Sequence, residues 1–232
     1  MSTTTDDTNN DDGVRSGWLG AGREARRTHA RAVTHQSASV LLGYPDEGFF
    51  ERLPLVARAV AELPKGPART ELLEFCEHAA STPEFELCAH YVDVFDPRCR
   101  RALHMTHYTD GDTRRRGHAL AEIERAYAEC GWRAHARELP DHLAVMLEFT
   151  ARGDADIGLE LLVDHRTGLD LLSEALREHG TPYARVVEAV RHTLPAPLRA
   201  EVGPLGKDVG MEPHGTRPRV PLPRTGASGK EP

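Results

Sequence analysis

Two runs of this 232-residue chain combine side chains that could do chemistry. The first is Leu103-His-Met-Thr-His-Tyr-Thr-Asp-Gly-Asp-Thr-Arg-Arg-Arg-Gly117. His104 and His107 are three apart, with Cys99 and Asp110 nearby, so a metal ion is conceivable. A zinc site needs four protein ligands, or three and a water, and this run lacks a recognised second pair. Asp110-Gly111 is a turn signal, and Asp112 or Thr113 can cap a following helix. The plain reading of Arg114, Arg115 and Arg116 is then a solvated basic run. The second run is Glu138-Leu-Pro-Asp-His142, followed by Leu143-Ala-Val-Met-Leu-Glu148-Phe149. On a helix, Asp141 and Glu148 are seven apart and share a face. An aspartate beside a histidine could serve general acid–base catalysis. No nucleophile motif accompanies it, and neither a Walker loop nor GxGxxG is present. The plainer reading is an aspartate satisfying free N–H groups in a first helical turn.

A third run, His165-Arg-Thr-Gly-Leu-Asp-Leu-Leu172, falls inside a long helical pattern that also holds Gly158. Each glycine there costs about 1 kcal/mol relative to alanine. Close helix packing is one reason to keep it, and room for a bound peptide is another.

The elements that must position these residues read as helices. One is expected from about Arg23 to Leu42, stopped at Gly43-Tyr44-Pro45. A broken stretch from Asp46 to Leu63, interrupted near Pro54, follows. Pro67 suits the first turn of a helix carrying Leu72, Leu73, Cys76 and Ala80. Ser81-Thr-Pro-Glu84 has the capping-box pattern before Leu87, Cys88, Tyr91, Val92 and Phe95. After a loop from Asp96 to about Asp112, helices are expected over Thr113–Cys130, Pro140–Arg152, Ala155–His179 and from Pro182 to about Thr193. Gly131, Gly153 and Gly180 mark the ends of the first three. No segment alternates strictly with β-branched enrichment, and no fixed-period repeat is evident. The expected fold is an all-α compact multi-helix bundle of seven or eight helices.

Charge and composition restrict the function further. The chain has 29 basic and 36 acidic residues, a formal net charge of -7. Residues 32–202 hold 19 of the basic and 28 of the acidic residues, so this central stretch carries -9. An acidic domain is a poor binder of phosphate backbones. Mean hydropathy is -0.49, and no stretch reaches the roughly 18 apolar residues of a spanning helix. The start of the chain has no basic or apolar signal region, so a cytoplasmic location is expected. Cys76, Cys88, Cys99 and Cys130 form no CxxC pair and are expected to be reduced. Residues 1–22 are expected to be a disordered arm, 23–195 the helical domain, and 196–232 a flexible tail. Residues 203–232 alone contain six Pro and six Gly.

Five fragments in order resemble one known family. They are Leu41-Leu-Gly-Tyr-Pro-Asp46, Tyr91-Val-Asp-Val-Phe-Asp96, Thr106-His-Tyr-Thr-Asp-Gly-Asp-Thr-Arg-Arg-Arg-Gly117, Glu138-Leu-Pro-Asp-His-Leu143 with Leu147-Glu-Phe149, and His165-Arg-Thr-Gly-Leu-Asp-Leu-Leu172 with Thr181-Pro-Tyr183. Together they span about residues 34–195 and resemble the NarJ family, the delta-subunit assembly chaperones of respiratory nitrate reductase. That family sits in the wider TorD and DmsD group of molybdoenzyme chaperones. The resemblance implies an all-α, non-enzymatic protein, monomeric or weakly dimeric, that is not part of the finished reductase. It implies binding of the N-terminal segment of the immature catalytic (alpha) subunit. The client is held until its molybdenum cofactor and iron–sulfur centres are in place, before membrane docking. The cofactor belongs to the client, and cofactor-delivery proteins are possible further partners. Neither nucleic acid nor membrane insertion is implied.

A leader-like peptide is typically a short basic amphipathic helix, which needs an apolar trough with an acidic rim. On that footing Tyr91, Phe95, Tyr108 and Leu147 are the expected trough. Glu138, Asp141 and Glu148 are the expected acidic contacts, and His142 a group that could tune them with pH. Asp112, Arg114 and Arg116 are expected either to order their loop by ion pairing or to touch the client. Two other readings fit the same residues: the same role for another molybdenum enzyme, and a metal-dependent hydrolase using His104, His107, Asp141 and His142.

Overall fold

The structure is a computed structural model, and it describes residues 11–95, 101–111, 113–133 and 138–196, with side chains from residue 22 onward. Ten helices and no strand occur among the described residues. They are α1 (Asp11–Leu41), α2 (Glu47–Ala61), α3 (Pro67–Ser81), α4 (Glu84–Phe95), α5 (Met105–Asp110), α6 (Arg114–Glu129), α7 (Leu143–Arg152), α8 (Ala155–Asp164), α9 (Arg166–His179) and α10 (Tyr183–Arg191). The described residues up to Pro195 form one compact unit. The expected flexible tail falls almost wholly outside the described residues, as do residues 1–10.

The apolar faces of the helices meet in one core. Leu41, Leu42, Phe49, Phe75, Leu143, Leu147, Leu172 and Val187 are all fully buried in it. The last turns of α1 lie against α7 and α2, while α10 packs on α3, α9 and α1. α10 is short, yet six of its nine residues are buried. A smaller cluster of Ile123, Tyr127 and Phe149, with Trp132 on its edge, ties α6 to α7. The Tyr127 and Phe149 rings lie 4.5 Å apart.

Several boundaries differ from expectation, each for a physical reason. α1 begins at Asp11 rather than Arg23, so the arm expected to be disordered over residues 1–22 is helical from Asp11 onward. A helix nucleated by its packed C-terminal half propagates cheaply into a polar segment. Pro54 lies inside a continuous α2 instead of breaking it. Its missing N–H is one lost bond, outweighed by burial of Phe49, Leu53, Val56 and Val60 on one face. Ser81 ends α3, its hydroxyl donating to the His78 carbonyl at 3.0 Å, and so forms no capping box for α4. The expected helix over 155–179 is two helices meeting at His165, whose Nδ1 bonds the Leu161 carbonyl at 2.8 Å. The loop after α4 contains the short helix α5. Gly180 takes the expected left-handed cap, with φ 75°.

Close packing explains the internal glycines. A Cβ on Gly158 would stand 2.6 Å from the Thr150 Cα, so the α7 and α8 backbones touch there. Gly168 faces the Tyr108 ring and the Met105 carbonyl, which seats α5 on α9.

Candidate functional site

The two chemically suggestive runs converge. Backbone bonds from Met105 N–H to the Asp141 carbonyl (3.0 Å) and from Leu143 N–H to the Leu103 carbonyl (2.8 Å) lay one against the other. Asp141 is the centre of the junction and is wholly buried. Its Oδ1 lies 3.0 Å from His104 Nδ1. Its Oδ2 accepts from the Thr106 hydroxyl at 2.5 Å and the Thr106 N–H at 3.2 Å. Arg116 reaches in from α6, its Nε donating to the Thr106 hydroxyl at 3.2 Å and its Nη2 standing 3.9 Å from Asp141 Oδ2. Burial by itself raises the Asp141 pKa, but the hydrogen bonds from His104 and Thr106 outweigh it and hold the carboxyl below its ordinary value.

His142 packs its ring against His104, with centroids 5.2 Å apart. Burial, with the neighbouring His104 next, pushes His142 down to about 4, so it is neutral at pH 7. Its Nδ1 is buried with no hydrogen-bond partner among the described residues. The network therefore joins three segments rather than presenting an acid–base pair to solvent. Among the described residues no group of three His, Cys, Asp or Glu side chains is arranged to hold a metal ion.

This placement revises several of the expected contacts. Asp141 precedes α7 instead of lying in it, so helical spacing does not put it on a face with Glu148. Asp141 and Leu147 are fully buried and cannot touch a client without opening the fold. Glu148 is engaged by Arg152 one turn on, at 2.6 Å. Glu138 is exposed, and its charge is felt at Tyr91, whose phenol is pushed up mainly by burial. Arg116 orders the loop by tying Thr106 to Asp141, whereas Arg114 is exposed on α6. Asp112 lies outside the described residues.

The aromatic expectations fare differently. Tyr91 and Phe95 are half-buried and share a seam with Tyr183, at 5.7 and 4.9 Å between centroids. The Tyr91 hydroxyl donates to the Leu42 carbonyl at 3.0 Å, which fixes α4 to the end of α1. Tyr44 extends the seam outward, 5.5 Å from Tyr91. Tyr108 donates to the Ala102 carbonyl at 2.9 Å and lines a separate groove of about 590 Å³ with Leu171, Glu174, Glu178 and His179 of α9. Trough and rim are thus dispersed over more than one surface. Tyr183, buried at the centre of the seam, was marked in sequence only by its place in the Thr181-Pro-Tyr183 fragment. Cys76, Cys88 and Cys130 are free thiols, Cys76 raised to about 11 by burial, and Cys99 lies outside the described residues.

The two loops are locked to one another by backbone bonds, and the open surface of the bundle carries grooves. The solved structures include a fold match: a putative redox enzyme maturation protein from Archaeoglobus fulgidus, with a TM-score of 0.52 at 22% identity over 72% of this chain and 91% of that one. The fold is therefore the all-α one seen in that protein. The nitrate reductase delta subunit family matches residues 62–188, more than half of the chain, and the chain belongs to that family. It is similar to the probable nitrate reductase molybdenum cofactor assembly chaperone NarJ of Bacillus subtilis, 29% identical over 70% of this chain and 89% of the relative. The corresponding Escherichia coli NarJ is 31% identical over 63% of each protein. The nitrate reductase-like protein NarX of Mycobacterium tuberculosis is 35% identical over 69% of this chain, which spans only 24% of that relative. Membership of this family makes the chain a maturation chaperone and not an enzyme.

Proposed function

We propose that this chaperone serves a respiratory nitrate reductase, binding the N-terminal segment of the immature catalytic subunit until the molybdenum cofactor and iron–sulfur centres are inserted. The observation that carries the reading is the family match over residues 62–188, the same stretch that contains α3 to α9 and the Asp141 junction. The molybdenum cofactor then belongs to the client, and the protein works in the cytoplasm. No helix among the described residues is long and apolar enough to cross a membrane. The -9 balance of residues 32–202 favours encounter with a basic segment and predicts that binding weakens with salt. Exposed Glu138 and the half-buried Tyr91–Phe95 seam remain available to such a segment.

The test is titration calorimetry of the purified chain with a peptide copying roughly the first 20 residues of the catalytic subunit, a length that forms a groove-binding helix. Micromolar or tighter, salt-sensitive binding is expected. Absence of heat at both low and high salt would refute the reading, and tight binding only to the leader of another molybdenum enzyme would change the client.

A further inference from the structure

The start of α2 and the start of α4 frame a second groove of about 590 Å³. Tyr44, Phe50 and Phe85 form its apolar wall, and Asp46, Glu51 and Glu84 are on its rim. Phe85 is 83% exposed and Tyr44 49%. Among the described residues no Lys or Arg lines it, and Glu51 and Glu84 form no ion pair. Local structure explains part of this charge. Asp46 caps α2, its Oδ1 accepting from the Phe49 N–H at 2.9 Å, and Glu84 sits at the first position of α4, where the helix dipole favours it. Neither reason covers Glu51, in the body of α2, or an open phenylalanine beside it.

We infer that this groove docks a segment of the client polypeptide in which a bulky apolar side chain is flanked by Lys or Arg. The inference rests on the chaperone reading above and adds the place where the segment docks. An aromatic wall next to unpaired carboxylates selects a partner that is apolar and cationic at once. The other occupants fit worse. A second copy of the chain, meeting through a two-fold axis, would set the same acidic rim against itself. An anionic membrane surface or a nucleic acid would be repelled by that rim. The groove also continues the Tyr91 seam through the Tyr44 ring, so a segment seated here contacts the element that carries Tyr91 and Phe95.

The experiment measures affinity of the full chain for the same catalytic-subunit leader peptide by fluorescence anisotropy, at low and high salt. The variants are Phe85→Ser, Phe85→Trp, Glu51→Lys and, in the other groove, Leu171→Ser. Phe85 and Leu171 are both exposed, so these variants should fold, as matching thermal melts would show. Phe85→Ser is expected to weaken binding about tenfold or more, the loss typical of an aromatic anchor, while Phe85→Trp keeps it. Glu51→Lys is expected to weaken binding and flatten its salt dependence. Leu171→Ser should change affinity less than about twofold, as a residue outside the interface does. Unchanged affinity in Phe85→Ser and Glu51→Lys, with the wild type binding normally, overturns the groove but leaves the chaperone reading intact. A wild type that binds no leader peptide overturns both.

Discussion

Asp141 holds together more than any other side chain of the junction. Its carboxylate is satisfied by His104 and by two groups of Thr106, with Arg116 close behind. Asp141→Ala leaves the buried Thr106 donors and the partly buried His104 unmatched, and is expected to cost about 3 kcal/mol, read as a lowered denaturation midpoint in urea. Asp46→Ala removes one helix cap and should cost only about 1 kcal/mol in the same assay. A loss of client binding in Asp141→Ala would accordingly track its stability. The histidines set the pH dependence. Burial holds His142 near 4 and His35 near 3, so both are neutral in the folded protein and protonate more readily when unfolded. Between about pH 6.5, the ordinary histidine value, and pH 4 the unfolded chain binds more protons, and stability falls as pH falls. Chemical denaturation at pH 7 and pH 5 should show the loss, and His142→Gln should make it shallower.

At the scale of elements, apolar spacing found Leu72 and Cys76 on the buried face of α3 but put the exposed Ala80 there in place of Phe75 and Ala79, while punctuation at Gly131 and Pro182 located α6 and α10. It misled where a single residue decides continuity. His165 divides one expected helix into two, and Pro54 fails to divide another, because packing on each side determines which conformation survives. The candidate site was readable as far as its members, since the fragments around Thr106 and Glu138 both belong to it. Their burial was not readable, because a carboxylate that faces a client and one that ties two loops look alike in one dimension. Close helix contact yields a direct prediction. Gly158→Ala drives a methyl into the Thr150 backbone, and should destabilise by about 1–3 kcal/mol, measured by thermal unfolding. Gly22→Ala, with open space around it, should be neutral or slightly stabilising in the same measurement.

For the molecule as a whole, the all-α class followed from punctuation and the absence of alternating segments, and the acidic balance of residues 32–202 indicated the sign of a partner. The whereabouts of an apolar surface could not be read, because it depends on which aromatics the packing leaves over. Phe75 and Phe85 are equivalent as letters, yet one is fully buried and the other almost fully open. One consequence of the assembly concerns synthesis. α10 is the last helix of the compact unit, and its Val186, Val187 and Val190 seal a core to which α1 and α3 contribute. A nascent chain that has emerged only as far as His179 therefore lacks the piece that closes its earliest helices, and is expected to remain protease-sensitive on the ribosome. A copy terminated before α10 is accordingly expected to lack a closed core and to offer no finished groove to a client.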